Sequence, residues 1–161
     1  MASATWSFGD GSTATGLSVS HTFTSLGSRT VSVTLTDSTG NQRTRTATTT
    51  VLPRPSLTGV RLSRRTIHVV GSPSSPRRTT LALTLNTGAR VSVVLRRTTR
   101  YHGRTVSATL RTTLAGGSRK VVLTSVVGSR RLPPGSYTAT VTARNAVATS
   151  TARRLGLRLL R

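Results

Sequence analysis

Thr30-Val31-Ser32-Val33-Thr34-Leu35 decides how this chain is read. Apolar Val31, Val33 and Leu35 alternate with hydroxyl residues at a period of two, which places one set on a core face and the other in water, the signature of a half-buried β-strand. Similar signals flank it at Leu17 to Phe23 and at Arg43 to Val51, and Gly9-Asp10-Gly11 and Ser38-Thr39-Gly40-Asn41 supply turn chemistry, so four strands are predicted before Pro53. The alternation recurs at Leu81-Leu83-Leu85, Val91-Val93-Leu95, Val106-Ala108-Leu110, Ala139-Val141-Ala143 and Leu155-Leu157-Leu159, with apolar runs near Ile67 and Val121. About seven strands there make a complete sandwich. Thr, Val and Ser dominate, and no long segment keeps an apolar stripe at helical spacing. The fold class is all-β.

A sandwich of this kind needs about 100 residues, so 161 residues can hold one large domain or one full unit and a shorter one, and two unequal units are expected. Leu52-Pro53-Arg54-Pro55-Ser56 is the natural joint, because two prolines at alternate positions cannot both donate to a ladder. The division is 1–52, a spacer over 53–56, and 57–161. With 34% hydrophobic and 3% aromatic residues, the core must come from many Val, Leu and Ala side chains. Cysteine is absent, which removes disulfides and thiolate metal sites and leaves the compartment unread from redox chemistry. Met1 to Thr5 shows neither a basic nor an apolar leader region, and no uncharged apolar run approaches the ~18 residues of a membrane span.

The charge is one-sided. Lysine and arginine total 24 against two acids, Asp10 and Asp37, for a net charge of +22. Only Arg29, Arg43 and Arg45 precede Pro53, so the second unit is strongly basic and carries no carboxylate side chain. Its basic residues are Arg except Lys120, a choice compatible with a GC-rich coding bias as well as with selection for an anionic partner.

Both acids sit in turn motifs, Trp6-Ser7-Phe8-Gly9-Asp10-Gly11 and Thr36-Asp37-Ser38-Thr39-Gly40-Asn41, with His21-Thr22-Phe23 and Gly27 between them. In order and spacing these pieces resemble the PKD domain, an immunoglobulin-like extracellular β-sandwich. The resemblance implies a core role for Trp6, with Phe8 and Phe23 packed nearby, and a packing or hydrogen-bonding role for His21 at the sheet edge. Because PKD domains normally have strands before the Trp motif, it also implies an incomplete first unit. Such a unit has an unpaired edge and an uncovered apolar face, unless the start is misplaced or a partner completes it.

An internal repeat links the units: Gly27-Ser28-Arg29-Thr30-Val31-Ser32-Val33-Thr34 aligns without gaps with Gly135-Ser136-Tyr137-Thr138-Ala139-Thr140-Val141-Thr142, and Asp37 then matches Asn145. Leu132-Pro133-Pro134-Gly135-Ser136-Tyr137 resembles the penultimate-strand entry of immunoglobulin-like repeats in bacterial, especially actinobacterial, surface proteins. Tyr137 would form a tyrosine corner. The chain departs from those repeats in lacking Cys and a D-x-x-G-N turn. The expected architecture is two immunoglobulin-like β-sandwich units, the first incomplete.

No nucleophile elbow or carboxylate pair is present, and Asp10 and Asp37 read as caps for backbone N–H groups beside Gly9, Gly11 and Gly40. A non-enzyme is therefore expected. His21, His68 and His102 are scattered, and no metal or cofactor is predicted. Arg96-Arg97-Thr98-Thr99-Arg100-Tyr101-His102-Gly103-Arg104 reads as a hairpin tip, with Arg96, Arg97, Arg100, Tyr101 and Arg104 as candidate contacts to an anionic polymer. Once the other rings are assigned to core or corner, only Tyr101 is free to stack on a sugar.

The expected protein is secreted or surface-attached and works in adhesion or spacing, with protein, cell-wall glycan or anionic polymer as partner. The extracellular setting rests on the resemblance. An intracellular polyanion binder and an accessory region of a larger secreted hydrolase are the alternatives. Nucleic-acid binding would be nonspecific, since no recognition helix, zinc finger or RRM-type pattern occurs. Oligomeric state stays open.

Overall fold

A computed structural model describes residues 3–161 and is built of strands and connecting turns. It divides into two compact units, Met1–Pro53 and Arg54–Arg161.

The first unit is one antiparallel sheet of β1 (Ser3–Ser7), β2 (Thr13–Thr15), β3 (Gly27–Thr36) and β4 (Gln42–Val51), in the order β2-β1-β3-β4. The register pairs Trp6 with Val33, Ala4 with Leu35 and Val31 with Ala47, so the apolar side chains share one face. Thr34, Thr44, Thr5 and Thr15 meet across the other. Among the described residues of this unit only Ala4 and Phe8 are buried apolar residues, and Leu35 keeps 46% of its surface exposed. The unit is thus an immunoglobulin-like half-sandwich with its apolar face thinly covered.

One expected strand is absent: Leu17 to Phe23 pairs with nothing in a ladder. The segment alternates like a strand but packs through its rings instead. His21 stacks on Phe8 at 4.1 Å, and Phe23 meets His21 edge-on at 4.7 Å, while Leu17 lies out in solvent. Trp6 is half-buried rather than central, its indole N–H donating to the Gly16 carbonyl at 2.9 Å.

The second unit is a complete sandwich. One layer has the order β10-β7-β5, from β5 (Leu57–Leu62), β7 (Arg78–Leu85) and β10 (Gly117–Thr124). The other has the order β6-β14-β13-β8-β9, from β6 (Thr66–His68), β8 (Ala89–Arg97), β9 (Ser107–Leu114), β13 (Gly135–Arg144) and β14 (Arg153–Leu160). A two-stranded ribbon of β11 (Val126–Val127) and β12 (Arg130–Arg131) bridges β10 and β13 along the chain. Leu81, Val91, Val93, Ala139 and Val141 are completely buried between the layers, as alternating inward positions of two facing sheets must be.

Tyr137 is 1% exposed, and its hydroxyl donates to the Pro133 carbonyl at 2.7 Å, which fixes the turn before β13. Burial raises its pKa above the usual phenolic value, with the nearby Arg97 charge opposing the shift. Residues 54–56 belong to this unit: Pro55 is buried, and the Asn86 side chain accepts from Ser56 N at 2.7 Å and donates to the Arg54 carbonyl at 3.0 Å.

The internal repeat has a structural counterpart. β3 and β13 each open on a glycine at positive φ, Gly27 at 120° and Gly135 at 147°. Asp37 and Asn145 then cap the turns that follow: Asp37 accepts from Thr39 N and Asn41 N, both at 2.9 Å, and Asn145 from Val147 N and Ala148 N, both at 3.0 Å.

Candidate polyanion-binding surface

The solvent face of the five-stranded sheet is cationic. Strand alternation sends Val91, Val93 and Leu95 inward, and so sends Arg90, Ser92 and Arg96 outward; the same rule turns out Arg111 on β9, Arg144 on β13 and Arg154 and Arg158 on β14. Register brings them together. Arg90 lies directly opposite Arg144, Arg96 beside Thr138 and Ser107, and Arg111 beside Ser92. These arginines are exposed, and no acidic side chain exists in this unit to balance them. Like charges directly opposite on a sheet are destabilising, so the Arg90–Arg144 pair adds repulsion that an anion would relieve.

At one end of this face the β8–β9 connection forms the arginine-bearing tip. Tyr101 and Arg104 exchange backbone hydrogen bonds at 2.9 and 3.0 Å around His102 and Gly103, whose φ values of 47° and 74° close the tight turn. Of the five tip residues expected to act together, Arg96, Arg97 and Arg100 line one cleft of about 430 Å³ with Thr98, Thr99, Thr105 and Thr138. Tyr101 and Arg104 stand outside it, in the turn.

Arg97 departs from the expected outward role. It follows Leu95 by two residues and therefore points to the inner side, where its guanidinium lies 4.9 Å from the Tyr101 ring centroid and donates to the Arg100 carbonyl at 3.0 Å. Gly135 makes room for it: a Cβ there would come within 2.3 Å of Arg97 Nε. Arg97 stiffens the tip, and its ring partner is held between it and His102. Arg100 donates to the Gly103 carbonyl at 3.3 Å. The exposed cations of the tip are thus Arg96, Arg100 and Arg104.

The two carboxylates act in the first unit as turn locks. Asp10 accepts from Ser12 N at 3.1 Å and from the Ser12 hydroxyl, and its other oxygen meets His21 Nε2 at 2.8 Å. A Ser, a His and an Asp touch here, yet both the carboxylate and the hydroxyl (3.3 Å) approach the same ring nitrogen. A nucleophile relay needs the acid on one imidazole nitrogen and the hydroxyl on the other, so this cluster ties a turn to a loop. Hydrogen bonds from Ser12 and then His21 hold the Asp10 carboxyl well below its ordinary range; those from Thr39 and Asn41 hold Asp37 at about 2. Gly9 is required beside Asp10: its φ is +72°, and a Cβ would sit 2.5 Å from the Thr30 carbonyl oxygen of β3. Gly11 and Gly40 turn the chain with open space around them.

Among the described residues no group of three or more His, Cys, Asp or Glu side chains is placed to hold a metal ion, and no helix is long and apolar enough to cross a membrane.

Fold and surface together define an all-β, immunoglobulin-like protein with a cationic sheet face. Residues 1–51 match the PKD domain family, so the first unit is a PKD-type domain. No curated protein matches the chain. Among solved structures, a tetra-tandem repeat in the extending region of a large adhesion protein is similar over 97% of this chain and 41% of its own, at 20% identity and a TM-score of 0.44. Dimeric latent PorU from Porphyromonas gingivalis aligns with 84% of this chain and 12% of its own, at 14% identity and a TM-score of 0.45. The Pseudomonas fluorescens alkylpurine DNA glycosylase AlkC, bound to DNA containing an abasic site analog, aligns with 69% of this chain and 32% of its own, at 12% identity and a TM-score of 0.39. The chain thus spans less than half the length of each.

Proposed function

We propose that this is a non-catalytic, extracellular binding and spacing module of a surface or secreted protein. In this reading the second unit holds an anionic polymer, such as a phosphate-linked or acidic cell-wall glycan, on its five-stranded sheet. The observation that carries the reading is the outward set Arg90, Arg96, Arg111, Arg144, Arg154 and Arg158, interleaved with hydroxyls in a unit that has no acidic side chain. Guanidinium groups bind phosphate and carboxylate oxygens through paired N–H donors, and neighbouring Ser and Thr hydroxyls add neutral hydrogen bonds. The described residues form no helix that could lie in a nucleic-acid groove, and in this reading recognition follows charge spacing along a flexible polymer.

The test is binding of a polyphosphate chain of roughly 20 units to the full chain across a sodium chloride series, with counterion release setting the slope. Replacing Arg96, Arg111 and Arg144 by Ser should weaken binding at every salt concentration and reduce the log–log slope by about one per arginine. An unchanged slope would refute the sheet face as the site. Single-stranded RNA that stays bound at physiological salt, where polyphosphate is released, would favour an intracellular nucleic-acid binder instead.

A further inference from the structure

The two layers of the second unit do not close along one seam. β5 is an edge strand with β7 as its only ladder partner. On the opposite layer β6 runs parallel to β14 but pairs only with Arg158, Leu159 and Leu160, so the outer edge of β14 from Arg153 to Gly156 has no partner strand. Between these edges lies a cleft of about 860 Å³ lined by Thr58 to Arg61 of β5 and by Thr151 to Leu155.

The backbone groups along this seam are set out for pairing. Arg158 N donates to the Arg65 carbonyl at 2.7 Å, so that residue's amide faces the β6 side, and strand alternation turns the amides of Arg154 and Gly156 the same way. Across the cleft the β5–β7 ladder slips between Thr58 and Arg61, which leaves Gly59 and Val60 out of register in a bulge where Gly59 has φ +58°. Bulges of this kind interrupt pairing at edges and re-aim the backbone. The side chains give the seam its chemistry: Val60, Ala152 and Leu155 are apolar, Arg61 and Arg154 are exposed cations, Arg153 Nε donates to the Leu57 carbonyl of β5 at 3.4 Å, and this unit has no acidic side chain.

We infer that this seam is a β-augmentation site for an extended acidic segment of another protein. The guest adds to β14 at Arg153–Gly156, continuing the line of β6. Its small apolar residues face Val60 and Leu155, its alternate Asp or Glu residues meet Arg154 on the other face, and Arg61 adds positive charge across the cleft. Main-chain hydrogen bonds supply affinity in this mode of recognition, and alternate side chains supply specificity. A second copy of this chain cannot be the guest: its acids are Asp10 and Asp37 alone, both hydrogen-bonded within their own turns, and its net charge is +22. The site shares Arg154 with the proposed polymer-binding face but differs from it in reading backbone as well as charge and in using Arg61 on the other layer.

The experiment uses the full chain and a nine-residue peptide alternating Val and Glu, followed by fluorescence anisotropy and by amide hydrogen exchange. Controls are the same peptide N-methylated at alternate amides, and polyphosphate. Binding of the unmodified peptide should slow exchange at Arg154 and Gly156 at least tenfold, and N-methylation should remove that protection together with most of the affinity. Arg61→Glu, an exposed substitution, should weaken the peptide about tenfold and leave polyphosphate affinity within twofold. Equal binding of the two peptides overturns the inference, as does protection confined to residues 96–104 or a failure of the unmodified peptide to bind. A peptide result as expected beside a failed sheet-face polyphosphate test would leave this site standing without the polymer-binding one.

Discussion

Removing one oxygen atom tests how the second unit is held together. In Tyr137→Phe the ring stays in place between the layers and only the 2.7 Å hydrogen bond to the Pro133 carbonyl is lost. A neutral intramolecular hydrogen bond is worth about 1 kcal/mol net. Pro133 is half-buried, so water can reach its freed carbonyl and the penalty for an unsatisfied acceptor stays small. The expected loss is therefore about 1 kcal/mol, or roughly 0.5 M in urea midpoint for a slope near 2 kcal/mol/M. Tyr137→Ala, which also empties a ring-sized site that is 1% exposed, should cost about 3–5 kcal/mol and bring the unit close to unfolding. Trp6 is the only tryptophan and lies in the first unit, so its fluorescence follows that unit, while the far-ultraviolet dichroism transition with no counterpart in that fluorescence follows the second. Tyr137→Phe should shift the dichroism transition and leave the Trp6 transition where it was. A neutral Tyr137→Phe, or one as costly as Tyr137→Ala, would refute the corner as described.

Acid should weaken the first unit through its two turns. Both carboxyls have folded pKa values below the unfolded value of 3.8, so their stabilisation is complete above about pH 4 and is lost as pH falls toward 2. Urea midpoints read by Trp6 fluorescence should be flat from pH 7 to about 4 and then decline, and Asp37→Asn should flatten that decline. Gly9→Ala forces a Cβ against the Thr30 carbonyl and should cost about 3 kcal/mol or more, whereas Gly11→Ala meets open space and should cost about 1 kcal/mol, both read by the same fluorescence. Gly135→Ala displaces the Arg97 guanidinium from Tyr101 and should cost about 1–3 kcal/mol in thermal unfolding of the second unit, with Arg97→Ala in the same background adding little.

Most strands were legible because their alternation is clean. Val91-Val93-Leu95 and Ala139-Val141-Ala143 read inward in the sequence and lie inward in the sandwich. β5 was missed because its bulge breaks the period: Leu57 and Val60 are three apart and no simple alternation joins them. Leu17 to Phe23 misled in the other direction, since a period of two describes side-chain placement but not whether a neighbouring strand exists to pair with. At the candidate surface the tip drew attention through local arginine density, and that same density hid the inward turn of Arg97, which the phase of Leu95 predicts. The broader sheet face was invisible for a different reason. Arg90 and Arg144 become neighbours only through a register that joins positions far apart in the chain.

Melting in the presence of polyphosphate addresses the main claim head-on: that uncompensated arginines on the five-stranded sheet await an anionic chain. At a polymer concentration about 100 times its dissociation constant, linkage gives about 2.7 kcal/mol. The second unit's calorimetric transition should then rise by about 10 °C while the Trp6 transition stays put. A second-unit transition that ignores polyphosphate, or one that moves in step with Trp6, would contradict the account.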